Sequence, residues 1–194
     1  MEKITSLSQL DMTKQYTYTD YLTWWFDDRV ELIKGYILKM AAPLRVHQKI
    51  SYKLLKKLSV QLNESTCDVY HAPFDVRFPK KYDASGNIFD VVQPDICVIC
   101  DSSKLDDRGC VGAPDLIIEI LSEGNRNHDL KKKYLLYEEH GVKEYWIVFP
   151  NEKMVEVYTL IDNKYNVADI YELDEEISSG VINGFNIRNN EIFS

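Results

Sequence analysis

Two stretches of this chain are dense enough in apolar residues to be buried strands, and each carries one carboxylate in its interior. Asp95 lies within Val91-Val92-Gln93-Pro94-Asp95-Ile96-Cys97-Val98-Ile99-Cys100, and Glu119 within Pro114-Asp115-Leu116-Ile117-Ile118-Glu119-Ile120-Leu121. A buried carboxylate without a partner costs roughly several kcal/mol, so such a group neutralises, pairs or binds a cation. Side chains alternate along a strand, which puts Asp95 on a face with Cys97 and Ile99, and Glu119 on a face with Ile117 and Leu121. Each acid thus interrupts an apolar face.

The other periodicities supply an α/β frame. Residues 19–26 read as a short helix with Thr19 as its N-cap, and residues 29–40 as a strand bent at Lys34-Gly35. The clearest helix is 46–63, where Val46, Ile50, Leu54, Leu58 and Leu62 recur every four residues. Lys49, Lys53, Lys56 and Lys57 occupy its other side, a face either solvated or set against phosphate. Residues 68–78 alternate as β, 82–87 form a turn, 91–100 and 116–121 are central strands, and 101–113 read as a surface loop. Asn127 or Asp129 can cap a helix that runs to about His140 and is closed by Gly141. Residues 145–149, 155–160 and 165–173 then read as strands, with hairpin turns at 150–153 and 162–164. At 194 residues and 45% hydrophobic content, the expectation is a single domain over 1–194.

Several classes are disfavoured. No apolar run approaches the roughly 20 residues of a membrane span, and Met1-Glu2-Lys3-Ile4-Thr5-Ser6 lacks a basic-then-apolar signal layout, so a cytoplasmic location is expected. A net charge of -8 argues against a protein that coats nucleic acid non-specifically, though not against one with a basic face. The spacing Cys97-x-x-Cys100 suggests zinc, but residues three apart on a strand point to opposite faces, and Cys67, Cys97, Cys100 and Cys110 are expected to be reduced thiols.

Lys133 is placed by helical arithmetic. At about 100° per residue from Leu130, Tyr134 and Tyr137 fall within roughly 40° of it and Lys133 near -60°, inside the apolar arc. A lysine that faces a sheet snorkels to its edge or meets a carboxylate, and the acid-bearing strands supply one. If those strands are neighbours, their carboxylates could share a hard cation, with oxygen ligands that favour Mg²⁺ or Mn²⁺. Such a set can hydrolyse a phosphodiester: the ion polarises the phosphate and acidifies a water, while the lysine orients that water or offsets developing negative charge. The competing account is that Lys133 simply bridges to Glu119 as a stabilising ion pair.

At these residues the chain resembles a known group. Pro94-Asp95 followed by Glu119-Ile120-Leu121 is similar to the PD-(D/E)xK nuclease pattern, with Leu121 at the usual lysine position. Glu31-Leu32-Ile33-Lys34-Gly35-Tyr36-Ile37, the 114–122 segment, Asp129 through Lys133 to Tyr137, and Gly141-Val142-Lys143-Glu144-Tyr145-Trp146-Ile147-Val148 together resemble the Uma family of restriction endonucleases, from about Tyr18 to Phe193. The resemblance implies a restriction-endonuclease-like core: a mixed central β-sheet flanked by helices, with additional antiparallel strands at the C-terminus. It implies Asp95 and Glu119 as metal ligands, Lys133 as the lysine moved from strand to helix, and Glu31 as a further ligand or an orienter of metal-bound water.

The expected activity is therefore that of a Mg²⁺-dependent endonuclease acting on DNA. Two other readings stay open: a catalytically silent nuclease-fold domain that binds nucleic acid or protein, and a homodimer built on an aromatic-rich face, suggested by thirteen tyrosines and three tryptophans. His47 near its helix start reads as a surface or capping residue, although it could reach the cleft. Arg126 and His128 read as solvated loop residues before the Lys133 helix, or as phosphate contacts. Asp115 shares the face of Glu119 but lies about 13 Å along the strand, too far to ligate the same ion.

Overall fold

A computed structural model describes residues 3–80, 86–122 and 126–194, without the side chains of 126–129. Thr17 caps the one-turn helix α1 (Tyr18–Tyr21) and exchanges bonds with Asp20. The cap falls two residues before Thr19, and Trp24, Trp25 and Phe26 lie beyond the helix. β1 (Val30–Ile33) and β2 (Tyr36–Lys39) form an antiparallel pair with Ile33 opposite Tyr36. The expected bent strand is thus a hairpin. Lys34 and Gly35 take φ of 53° and 80°, the two positive values that a tight hairpin turn requires.

The long helix is α2 (Arg45–Leu62), which buries Ile50, Leu54, Leu58 and Leu62 as its periodicity demands. Two lysines of its polar side are engaged by the C-terminus: Lys53 donates to Ser194, and Lys57 lies 3.7 Å from Glu191. Next come β3 (Asp68–His71), β4 (Val76–Phe78), β5 (Asp90–Val92) and β6 (Ile96–Ile99). Segments 68–78 and 91–100, each expected as one strand, are each divided between two sheets. Pro94 explains the second division, since a proline has no N–H for a ladder and disfavours helical backbone in the residue before it. Asp95 therefore sits at the corner just before β6 rather than inside a strand.

The stretch expected as a surface loop contains a small hairpin, β7 (Leu105–Asp106) and β8 (Gly109–Val111). β9 (Leu116–Ile120), α3 (Arg126–His140) and β10 (Glu144–Phe149) make a crossover unit, with β9 and β10 parallel and Glu119 opposite Ile147. Gly141, at φ 83°, ends α3 with its N–H on the Tyr137 carbonyl. Arg126 and His128 belong to this helix, not to a loop. The proposed caps at Asn127 and Asp129, and most of the 82–87 turn, lie outside the described side chains. The chain continues through β11 (Met154–Ile161), β12 (Lys164–Tyr165), β13 (Asp169–Tyr171), β14 (Glu176–Ser178), β15 (Asn186–Arg188) and α4 (Asn189–Phe193).

The central mixed sheet runs β12-β11-β10-β9-β6-β3, with β13 also on β11; a second sheet runs β2-β1-β5-β4-β8-β7. α2 covers one face of the central sheet, where Ile50, Leu54 and Leu58 meet Val98, Leu116, Ile118 and Trp146. The other face carries Cys97, Ile117, Tyr145 and Ile147 against Leu136 and Tyr137 of α3 and Ile33, Val76, Phe78 and Val92 of the second sheet. Each buried aliphatic or aromatic side chain contributes about 1.5–3 kcal/mol, so both faces are clamped. Tyr134, Tyr137, Tyr145, Tyr158 and Tyr165 pack mostly edge-on or tilted against one another, and burial of Tyr137, Tyr145 and Tyr165 takes three of the tyrosines away from any aromatic surface.

Cys67 and Cys100 are joined as a disulfide, while Cys97 and Cys110 are free and buried. The expectation of four reduced thiols is corrected for the first pair. Cys97 and Cys100 do diverge, one packed on each face of the sheet. Among the described residues no helix is long and apolar enough to cross a membrane.

Candidate active site

Four segments far apart in sequence meet in one pocket. Glu31 comes from β1, Asp95 from the corner before β6, Glu119 from the C-terminal half of β9, and Lys133 from the second turn of α3. Strand alternation turns Glu119 toward α3, along with Ile117. The crossover then lays α3 over that face, and Lys133 points at it as the helical arithmetic requires.

The hydrogen bonds follow a common pattern. Lys133 Nζ donates to Glu31 Oε1 and to Glu119 Oε1, each at 2.9 Å. Tyr137, one helical turn on, donates its hydroxyl to the same Glu119 oxygen at 2.7 Å. Glu31 Oε1 also accepts the backbone N–H of Gln93 at 2.8 Å. Asp95 Oδ2 accepts the N–H of Ile120 at 2.7 Å and lies 3.0 Å from His47 Nε2. One oxygen of each carboxylate thus takes two contacts. Among the described residues the other oxygen of each carboxylate has no hydrogen-bond partner.

Glu31 and Glu119 share the Lys133 ammonium, with Asp95 close enough to act on Glu119, and the electrostatics reflect it. Burial pushes the Glu119 carboxyl up to about 7; Asp95 and Glu31 add to the rise, while Lys133 opposes it. Burial alone would lower Lys133, but Glu119 and Glu31 outweigh it and hold the amine protonated. Burial and the nearby Glu119 raise the Tyr137 hydroxyl well above its ordinary range, so it remains a donor.

All four predicted site residues therefore come together, and Asp115 does not join them. Its carboxylate accepts the Cys100 N–H and pairs with Lys143 at 2.6 Å. His47 is not a surface residue: it is 8% exposed, contacts Asp95 and lines the pocket. Three contributors escaped the sequence reading. Tyr137 read as apolar; Gln93 reads as an ordinary strand polar residue; Arg29, which lines the pocket, sits two residues before Glu31 and so shares its face, a signal that alternation contains.

Among the described residues no three His, Cys, Asp or Glu side chains form a ready cage for a metal ion. The donor set still fits a hard ion of the kind that keeps several waters and needs only one or two carboxylates. Asp95 and Glu119 border the same pocket, and each has one oxygen without a partner among the described residues.

A model of the Uma2 family, described as "Putative restriction endonuclease", matches residues 19–189. No curated protein matches the chain. Among solved structures, one described as "a putative nuclease belonging to DUF820" from Anabaena variabilis ATCC 29413 superposes with a TM-score of 0.73 at 19% identity, covering 92% of this chain and 97% of that one. That likeness shows a shared fold.

Proposed function

Because the chain belongs to the Uma2 family, we propose that it is a nuclease that hydrolyses phosphodiester bonds of DNA, with Mg²⁺ or Mn²⁺ held by Asp95 and Glu119. The observation that carries this is the gathering of three carboxylates in one open pocket, where Lys133 engages Glu31 and Glu119 and Asp95 lies beside them. An excess of two negative charges remains there when all four groups are ionised, and a divalent cation balances it. A bound dication supplies a polarised phosphate and a more acidic water.

The protein's own groups do the rest. Lys133 engages two of its three N–H donors on Glu31 and Glu119, which leaves one for a water or a phosphate oxygen. Glu31, anchored through Oε1, presents its second oxygen to the pocket as a proton acceptor for that water. Tyr137 and the Ile120 N–H fix the Glu119 and Asp95 carboxylates in orientation, so neither has to reorganise when substrate arrives.

The competing reading is a catalytically silent domain in which Lys133 is only a buried bridge, and the two ion pairs of Lys133 favour it. Calorimetric titration with Mn²⁺, alongside a plasmid-nicking assay, separates the two. A nuclease binds Mn²⁺ at millimolar or tighter affinity, loses that binding in Asp95→Asn and Glu119→Gln, and nicks DNA only where it binds. Absence of Mn²⁺ binding and of nicking in the native protein would leave the silent domain.

A further inference from the structure

Arg29, Lys39 and Lys133 are the described lysines and arginines that line the pocket. Two are neutralised: Lys133 by Glu31 and Glu119, and Lys39 by Asp28 at 2.6 Å. Arg29 has no carboxylate partner among the described residues. Its NH2 donates instead to the neutral side-chain oxygen of Gln93 at 3.0 Å. Gln93 is itself held firmly, donating from its backbone to Glu31 and from Nε2 to Asp75 at 2.9 Å. The buried Nε of Arg29 has no hydrogen-bond partner.

A guanidinium whose acceptor is a neutral amide is not neutralised by it, and a charge-assisted bond from it to a phosphate oxygen is about twice as strong as a neutral one. We propose that Arg29 is the anion-binding residue of this pocket and takes a phosphate oxygen of the nucleic-acid backbone beside the bond to be cut. The inference rests on the nuclease reading and assigns it a substrate contact. It also answers a physical difficulty: a polyanion has to approach a pocket rich in carboxylates, and among the described residues Arg29 is the pocket lysine or arginine not already paired with a carboxylate.

The test uses the full chain and a short fluorescein-labelled DNA duplex, titrated by anisotropy with Ca²⁺ present across a salt series. Arg29→Gln is expected to weaken binding about 10- to 100-fold and to reduce the salt slope by about one. Arg29→Lys should recover the slope but only part of the affinity, since it restores a point charge without the fork. Mn²⁺ binding, read by calorimetry, should stay within about twofold of the native value. Equal affinity and equal slope in native protein and Arg29→Gln would overturn the assignment, as would loss of Mn²⁺ binding together with DNA binding, which marks a merely structural role.

The two ideas fail separately. Nicking that survives with unchanged duplex affinity in Arg29→Gln removes the Arg29 contact and leaves the nuclease. Duplex binding that depends on Arg29, in a native protein that neither binds Mn²⁺ nor nicks, keeps the contact and removes the nuclease. Native protein that does not bind the duplex at all removes the contact.

Discussion

Lys133 and Glu31, separated by 102 positions in the chain, meet at 2.9 Å between Nζ and Oε1, both almost wholly buried. This bond ties α3 to β1 and hence the crossover of the central sheet to the hairpin of the second sheet. Removing the lysine leaves two buried carboxylates facing each other without a cation. Lys133→Met is expected to lose about 3–5 kcal/mol of unfolding free energy near neutral pH. The loss should shrink in acid, where protonation relieves the orphaned acids. Urea unfolding of native and variant protein at neutral and acidic pH reads both values, and a pH-independent difference would count against the account.

The raised Glu119 carboxyl predicts how protons and metal compete. Its pKa is about 7 in the folded protein against an ordinary 4.5. A group raised in this way favours the folded state below its unfolded pKa, and that contribution is lost as pH rises through the folded one. Metal-free native protein should therefore lose stability between about pH 4.5 and 7, by up to the order of 3 kcal/mol, whereas Glu119→Gln should lack this component. Added Mg²⁺ works the other way, because it takes the deprotonated carboxylate. Stabilisation by Mg²⁺ at ten times its Kd should reach about 1.4 kcal/mol where Glu119 is ionised, and fall away below pH 7. Thermal melts over a pH series, with and without Mg²⁺, measure both trends; equal Mg²⁺ stabilisation at all pH values would remove Glu119 from the ligand set.

Much of this site was legible in the chain. Apolar density singled out Asp95 and Glu119 as acids inside strand-like stretches, although Asp95 proves to lie at the corner before β6, and helix rotation turned Lys133 toward them. What escaped depends on details of phase and of tertiary approach. With Ile50 at zero, Leu54, Leu58 and Leu62 lie at about 40°, 80° and 120°, which centres the stripe near 60–80°. His47 falls at about 60° and Val46 at about -40°, so the four-residue repeat carried back to Val46 overshoots by one position. The structure agrees, with His47 buried and Val46 exposed. Similarly, alternation puts Arg29 with Glu31, yet nothing local reveals that its guanidinium meets an amide rather than an acid. The two-sheet division was hidden for a different reason: strand pattern reports burial, and both halves of 91–100 are buried. Only Pro94 marks the corner between them.

A final prediction concerns the frame behind Arg29. Gly109 opens β8 at φ 126°, and a Cβ there would lie 2.2 Å from the Asp75 carbonyl oxygen, which accepts the Cys110 N–H at 2.9 Å. Backbone cannot yield as a flexible side chain would, so Gly109→Ala has to break the β4–β8 contact as well as adopt a strained φ. Gly141 supplies the control: its φ is also positive, but a Cβ would meet nothing within 4 Å. Gly141→Ala should then cost only the left-handed penalty of about 1–2 kcal/mol, and Gly109→Ala clearly more, above about 3 kcal/mol. Because Asp75 also receives the Gln93 side chain, the damage should reach Gln93 and weaken duplex binding alongside stability. Equal unfolding free energies for the two variants would show that φ alone, and not the approach of Asp75, sets the requirement for glycine at 109.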